Sequence, residues 1–208
     1  MMSLYSGTPG SGKSLHMASR LYNRYRYINA PTLCNFSCDF SQIKNHKGQF
    51  IYRDFSELTP RFLADFSMEY SEKIGRNAKE GEILLVIDEA QLYFNSRDWG
   101  RADRAEWCAF FTQHRKLGYD VVLIAQHDRM LDRQVRNLIE YEFIHRKVSN
   151  FGLQGKLLSL VALGKLFVAV KVWYPMKEKV GSEFFVFSKK YNSIYNTFAL
   201  FTAPKENF

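Results

Sequence analysis

The first half of the chain alternates between short apolar runs and longer amphipathic segments. Ser3–Ser6 is predicted to be a short buried strand, and the continuous apolar runs Ile83–Ile87 and Val121–Ala125 also have the length of strands. Apolar side chains at every position, rather than at every second one, indicate strands covered on both faces, as in a parallel sheet. Two more strands are predicted, at Thr32–Phe36 and Phe50–Arg53.

Helical patterns separate these runs. Apolar residues repeat with a period of 3.6 over Lys13–Tyr27, and Thr59 followed by Pro60 marks the start of a helix that reaches Ile74. Further helices are predicted over Asp103–Leu117 and Leu131–Ile139, and the latter leads into a strand at Glu140–Lys147. This alternation predicts an α/β fold, a three-layer sandwich with a mostly parallel central sheet, over residues 1–150.

The pattern changes after residue 150. Three β segments are predicted, at Leu157–Ala162, Leu166–Tyr174 and Glu183–Phe187, and they form a hairpin or a meander. The lysine-rich tail Lys189–Phe208 is weakly patterned. We therefore interpret residues 151–208 as a C-terminal β extension and basic tail of the same domain.

Composition and charge narrow the class of protein. The 208 residues are 46% hydrophobic and carry a net charge of +8, which suits one globular domain and excludes a disordered chain. Residues 148–208 alone carry +5, all of it from lysine. Such a balance favours nucleic acid or anionic lipid as a partner, although a merely solvated surface is the alternative. The longest apolar stretch is Leu157–Trp173, and Lys165 and Lys171 interrupt it. A membrane span needs about 20 mostly apolar residues, so the chain as given is predicted not to cross a membrane.

The clearest chemical motif joins the first strand to the first helix. It matches G-x-x-x-x-G-K-[ST] at every defined position, and we predict that the nucleotide contacts Gly7, Thr8, Pro9, Gly10, Ser11, Gly12, Lys13, Ser14 and Leu15. Glycines let the backbone approach phosphates, and the N–H groups of the loop and helix start attract anions. Lys13 is predicted to reach the β- and γ-phosphates, and the Ser14 hydroxyl to ligate Mg²⁺.

A second motif follows the apolar run Ile83–Ile87. Asp88 ends that strand and is predicted to hold Mg²⁺ through water, while Glu89 is placed to activate the attacking water as general base. A base beside the metal ligand favours hydrolysis over transfer to an acceptor. The strand Val121–Ala125 can lie between the two motif strands, which would put Gln126 near the γ-phosphate to orient the water or sense the phosphate.

Several arginines are candidates for completing the site from a neighbouring subunit, where they would stabilise charge in the transition state. They are Arg97, Arg115, Arg129, Arg133 and Arg136. Arg136 and Arg115 are favoured because the ends of their helices are expected near the carboxyl edge of the sheet.

Taken together, these segments resemble the N-terminal ATPase domain of the zonula occludens toxin (Zot) family, which includes the filamentous-phage assembly protein. The resemblance covers roughly residues 2–174. It rests on the phosphate loop and on five further segments, Leu85–Glu89, Phe94–Trp99, His114–Asp120, Ala125-Gln126 and Leu131–Arg136.

The resemblance implies an ATP- and Mg²⁺-dependent motor, similar to the FtsK/HerA motors, which are usually hexameric. Family members sit in the host inner membrane with a cytoplasmic ATPase domain, one transmembrane helix and an exterior domain, and they extrude virions that carry single-stranded DNA. The implied partners are a second copy of the chain, phage single-stranded DNA or coat and assembly proteins, and the membrane through a segment absent here. The sequence is thus expected to be a truncated piece, and nothing in it supports a toxin role.

Two other functions stay open. A nucleotide-gated membrane scaffold for phage assembly would bind ATP with little hydrolysis, and a P-loop kinase would transfer the phosphate. Glu89 beside Asp88 argues against the kinase, and the intact Lys13 and Ser14 argue against loss of activity.

Overall fold

A central sheet organises the chain in a computed structural model that describes residues 1–97, 102–153, 157 and 165–195. Its strands in chain order are β1 Met2–Ser6, β2 Pro31–Cys34, β3 Gln49–Tyr52, β4 Ile83–Ile87, β5 Tyr119–Ile124, β6 Tyr141–Lys147, β7 Leu166–Trp173 and β8 Glu178–Val186. The strands lie side by side in the order β3-β2-β4-β5-β1-β6-β7-β8. Strands β1 to β6 pair in parallel, and β7 and β8 extend the sheet antiparallel.

Helices cover the sheet on both faces. They are α1 Lys13–Tyr27, α2 Pro60–Ile74, α3 Arg104–Gln113, α4 Arg133–Arg136 and α5 Lys189–Asn192. Helix α2 begins as its sequence predicts, because the Thr59 hydroxyl accepts the Phe62 N–H at 3.1 Å, and it ends at Gly75 with φ of 68°. None of the helices within the described ranges is long and apolar enough to span a bilayer.

Two hydrophobic clusters, one on each face of the sheet, explain the continuous apolar runs Ile83–Ile87 and Val121–Ala125. One cluster packs the sheet against α2 and α3 around the rings of Trp107, Phe110 and Phe111. The other packs the opposite face against α1 through Met17 and Leu21. Successive side chains of a strand point to opposite faces, so strands covered on both sides need apolar residues at every position. The predicted parallel sheet is confirmed.

The extents of several elements differ from prediction. Helix α3 ends at Gln113, four residues early, because the chain turns there and the Tyr119 N–H bonds back to the His114 carbonyl at 2.8 Å. Helix α4 covers only Arg133–Arg136. The Asp132 carboxylate caps its start by accepting the Gln134 N–H, and beyond its end the Leu138 and Ile139 N–H groups bond to carbonyls three residues back. Strand β8 begins five residues before the predicted Glu183.

The two remaining predictions concern the C-terminal part. The strand predicted at Leu157–Ala162 lies outside the described residues, apart from Leu157, which is helical. The tail, predicted without clear structure, contains the short helix α5. Residues 188–195, called segment 188–195 below, lie against α1: the Tyr191 ring meets Tyr22 edge-on at 5.5 Å, and Ile194 is buried.

Candidate nucleotide-binding site

The loop between β1 and α1 has the backbone of an anion-binding nest. Gly7, Gly10 and Gly12 have φ of 144°, 73° and 98°. At Gly7 a Cβ atom would lie 2.6 Å from the His145 carbonyl oxygen, so only glycine fits there. Helix α1 begins after Gly12 with no side-chain cap and no acidic residue in its first turn. Its N–H groups are therefore available to an anion.

Lys13, in the first turn of α1, turns back over the loop. Its ammonium donates to the Gly7 carbonyl at 2.6 Å and to the Thr8 carbonyl at 3.4 Å. Burial lowers the pKa of Lys13, while the nearby Glu89 and Asp88 carboxylates raise it. The structure thus places Lys13 within the electrostatic reach of both acidic residues that the sequence assigned to the same site.

Asp88 follows β4 and is buried, with 6% of its surface exposed. Burial raises the pKa of Asp88 to about 6, and the hydrogen bond from the Glu89 N–H acts in the opposite direction. The Glu89 N–H donates to Oδ1 at 2.9 Å. The other carboxylate oxygen, Oδ2, accepts a hydrogen bond from the hydroxyl of Tyr195, at the end of segment 188–195.

Asn35, directly after β2, holds the backbone of Asp88. Its Oδ1 accepts the Asp88 N–H at 2.7 Å, and its Nδ2 donates to the Asp88 carbonyl at 3.0 Å. Both bonds are buried. Sequence reasoning missed Asn35 and Tyr195, because the contacts of both residues with Asp88 are made only by the fold. A polar residue at the end of the predicted buried strand Thr32–Phe36 was the one available signal.

Glu89 has a left-handed backbone, with φ of 48° and ψ of 41°. This conformation is uncommon for a residue with a side chain and often marks a functional site. The Glu89 carboxylate accepts a hydrogen bond from the side-chain amide of Gln91. Gln91 is itself buried, and its Oε1 atom has no hydrogen-bond partner among the described residues.

Gln126 follows β5, which lies between β1 and β4 as the sequence predicts. Its carbonyl accepts the Gly7 N–H at 3.2 Å, so its backbone is tied to the start of the phosphate loop. Its side chain is exposed at the rim of a cavity of about 870 Å³. The cavity flanks the loop on the β6 side and is lined, among others, by Thr8, Arg129, Glu142, Arg146 and Phe151.

The reason for favouring Arg115 and Arg136 is wrong. A helix between parallel strands returns the chain to the amino end of the second strand, so the ends of α3 and α4 lie away from the phosphate loop. Arg115 bonds to Glu140 and lies 3.3 Å from Glu80, which also pairs with the Met1 amino group at 3.0 Å. Arg136 ends the helix that precedes β6. Arg129 instead follows β5, at the same edge as the loop.

Ser14 and Asp88 fit a magnesium site by chemistry. Mg²⁺ prefers oxygen ligands and holds few protein side chains besides waters and phosphates. Ser14 supplies a hydroxyl in the first turn of α1, beside Leu15, and Asp88 supplies a carboxylate whose pKa is raised by burial.

Solved structures with the same fold define the class of protein. One is an ATPase domain, which matches with a TM-score of 0.59 and 10% identity, over 94% of this chain and 84% of that one. The genome packaging NTPase B204 of Sulfolobus turreted icosahedral virus 2, in complex with ATP-gammaS, matches with a TM-score of 0.50 and 16% identity over 88% and 95%. The fold is that of the P-loop NTPases.

Within that class, the family model for Zonular occludens toxin (Zot) matches residues 1–178, and the chain belongs to this family. The N-terminal domain of zonular occludens toxin from Neisseria meningitidis matches with a TM-score of 0.57 and 20% identity, over 94% of this chain and 98% of that one.

Curated relatives are gene 1 proteins of filamentous phages. The protein from Enterobacteria phage I2-2 is 35% identical over 109 residues, which is 48% of this chain and 29% of that protein. The protein from Salmonella phage IKe is 35% identical over 112 residues, with the same coverage. The matched region thus spans less than a third of these relatives.

Proposed function

We propose that the protein is a Mg-ATP-hydrolysing motor domain that drives assembly and extrusion of a filamentous phage. The observation that carries this proposal is the meeting of Lys13 with Asp88 and Glu89, across the strand order β4-β5-β1, in a chain of the Zot family. Similarity to gene 1 proteins of filamentous phages supports the biological setting.

Each residue of the site has its own role in binding or hydrolysing the nucleotide. The loop amides, the start of α1 and Lys13 bind the β- and γ-phosphates. Ser14 and Asp88 would hold Mg²⁺, which neutralises charge on the phosphates when it is bound. Glu89 accepts a proton from the attacking water, and Gln126 orients that water or senses the γ-phosphate. The Gln91 amide, bonded to Glu89, fixes the direction of the carboxylate.

We further propose that the protein acts as a homo-oligomer, with a ring of six subunits as the candidate arrangement, at the cytoplasmic side of the host inner membrane. Arg129 is the candidate for the arginine supplied between subunits, because it is exposed at the edge of the sheet that carries the phosphate loop. The basic C-terminal part favours phage single-stranded DNA over coat protein as the moved partner. Residues 151–208 are assigned to the same domain, since β7 and β8 continue its sheet.

Steady-state ATP hydrolysis tests the proposal. Wild type, Lys13→Ala and Glu89→Gln are compared across protein concentration, with and without single-stranded DNA. We expect turnover that rises steeply with protein concentration, no nucleotide binding by Lys13→Ala, and bound but unhydrolysed ATP in Glu89→Gln. Persistent turnover in Glu89→Gln would remove Glu89 as the base.

One observation favours the nucleotide-gated scaffold as a second candidate. The carboxylates of Asp88 and Glu89 are each already bonded within the chain, to Tyr195 and Gln91. ATP binding by wild type without turnover at any concentration would select the scaffold, and phosphate transfer to an acceptor would select a kinase.

A further inference from the structure

The phosphate loop lies between two unlike neighbours. Strand β1 has β5 and then β4 on one side, and β6 and then β7 on the other. Strand β4 delivers Asp88 and Glu89, so the reactive carboxylates lie two strands from the loop on the first side. The hairpin of β7 and β8 lies equally far away on the second side.

This hairpin places an aromatic surface against the loop. A Cβ atom at Gly12 would lie 2.8 Å from Cδ1 of Phe167 and 3.2 Å from Cε2 of Phe185. The two rings are nearly parallel, with centroids 5.6 Å apart and 16° between their planes. Both side chains are half-buried, so part of this aromatic pair is open to solvent beside the phosphate loop.

The pair packs against the half-buried His16, which in turn contacts the buried His145. The ring of Phe185 stacks on His16 of α1, with centroids 4.9 Å apart. Because the Ser6 carbonyl can only accept, Nδ1 of His145 donates to it at 3.1 Å. Nε2 of His145 is then an acceptor for Nδ1 of His16 at 2.9 Å. The aromatic pair is thereby fixed in position relative to the residue that precedes the loop.

The direction of a bound nucleoside triphosphate follows from the position of the carboxylates. Hydrolysis at Glu89 requires the γ-phosphate on the β4 side of the loop, so the nucleoside end leaves on the β6–β7 side. We propose that Phe167, supported by Phe185, is the stacking surface for the base of the bound nucleotide. This inference rests on the proposed function and adds the base-binding residues to it.

The chemistry of this surface also predicts how the base is selected. An aromatic ring stacks on any base because every base has a π-face, whereas selection needs hydrogen bonds to the base edges. The surface formed by Phe167 and Phe185 presents carbon atoms. We therefore expect similar affinities for ATP and GTP, and weaker binding of pyrimidine nucleotides, whose rings are smaller.

Binding of two ligands by the full chain separates the base from the phosphates. Dissociation constants for Mg-ATP and for Mg-tripolyphosphate are measured by calorimetry for wild type, Phe167→Ala and Phe167→Trp. We expect Phe167→Ala to weaken ATP binding by about tenfold, to leave tripolyphosphate binding unchanged, and Phe167→Trp to restore ATP binding. Unchanged tripolyphosphate binding also shows that the variant is folded.

Two control variants sharpen the test. Phe184→Ala removes the neighbouring ring of β8, which points to the opposite face and is 62% exposed, and it should change neither affinity. Phe151→Ala removes the ring that lines the cavity on the other face. Loss of ATP affinity in Phe151→Ala but not in Phe167→Ala would overturn the proposal and place the base in the cavity.

The remaining outcomes are also decisive. An equal loss of both ligands in Phe167→Ala would show that the ring only supports the loop, and an unchanged ATP affinity would show that the base does not touch it. Failure of wild type to bind tripolyphosphate and ATP would instead refute the proposed nucleotide site itself.

Discussion

The two sides of the phosphate loop are held together by different forces. On the β4 side, directional hydrogen bonds surround the buried Asp88, and they join Asn35, Asp88, Glu89, Gln91 and Tyr195. On the hairpin side, half-buried rings hold each other by stacking. Hydrogen bonds fix atoms to within a few tenths of an ångström, whereas stacked rings tolerate sliding. Precise positioning on the β4 side suits hydrolysis of a phosphate group that is the same in every nucleotide. Tolerance on the hairpin side suits contact with a base that can vary.

The largest effect is expected from Asn35→Ala. It leaves the buried N–H and carbonyl of Asp88 without partners, at about 1–3 kcal/mol each, so the free energy of unfolding should fall by about 4 kcal/mol. Urea denaturation of wild type and variant measures this, with the exposed Asn77→Ala as control. A loss below about 1 kcal/mol would show that the network is less rigid than its geometry indicates.

Asp88→Asn should stabilise the nucleotide-free protein at neutral pH. The pKa of Asp88 is raised from 3.8 to about 6, so the native state binds this proton more tightly than the unfolded chain. Wild-type stability therefore falls as pH rises from about 4 to about 6, by roughly 3 kcal/mol. We expect the variant to exceed wild type by this amount above pH 7 and to match it near pH 4.

Denaturation across pH checks the sign of this effect. Asp39→Asn serves as the opposite case, because hydrogen bonds from Ser41 lower the pKa of the exposed Asp39. That substitution should cost stability at neutral pH, and the cost should disappear in acid. Parallel pH profiles for the two variants would contradict the role of burial at Asp88.

Gly12→Ala tests the contact on the hairpin side. Its Cβ atom would meet Phe167, whereas a Cβ at Gly10 would meet nothing within 4 Å, although both glycines have positive φ. Both variants carry backbone strain, and Gly12→Ala should lose about 2 kcal/mol more through overpacking. Thermal denaturation measures the difference, which should shrink when Phe167→Ala is added, leaving only the 3.2 Å contact with Phe185. An additive double variant would show that the ring moves away freely.

The smallest effect is expected from Tyr195→Phe, which removes one donor to the Asp88 carboxylate. A hydrogen bond to a charged group contributes about 1.5–3 kcal/mol, and segment 188–195 would open more often without it. Trypsin should then cleave after Lys189 and Lys190 roughly tenfold faster. Tyr191→Phe keeps its ring on Tyr22 and is the control. Equal cleavage of wild type and Tyr195→Phe would contradict the contact.

The features that the sequence predicted correctly are those set by residues close together in the chain. The glycines of the loop, the start of α1 and the apolar strand before Asp88 are local signals, and each lies in the structure within a residue or two of its predicted place. The parallel sheet followed from the continuous apolar runs Ile83–Ile87 and Val121–Ala125, because strands covered on both faces favour apolar residues at every position.

The predictions that failed concerned the edge of the sheet at which a helix ends, or contacts between segments far apart in the chain. Arg115 and Arg136 were placed at the wrong edge because the return path of a helix to the next strand was not followed. Asn35 and Tyr195 reach Asp88 from positions 53 and 107 residues away, and no pattern along the chain encodes such meetings. Strand β8 begins early because pairing with β7 orders residues whose exposed side chains give no apolar signal.

The hydroxyl of Tyr195 donates to Oδ2 of Asp88, the same carboxylate that is proposed to hold the metal. A metal–nucleotide complex that engages Oδ2 competes with the tyrosine, so its entry and the release of segment 188–195 from α1 are thermodynamically linked. Thermodynamic coupling of this kind is reciprocal. A load or partner that detaches segment 188–195 from α1 would raise the affinity for the metal–nucleotide complex, and it would do so by the same factor by which that complex favours detachment. Force applied to segment 188–195 would in this way act as an effector of the proposed nucleotide site.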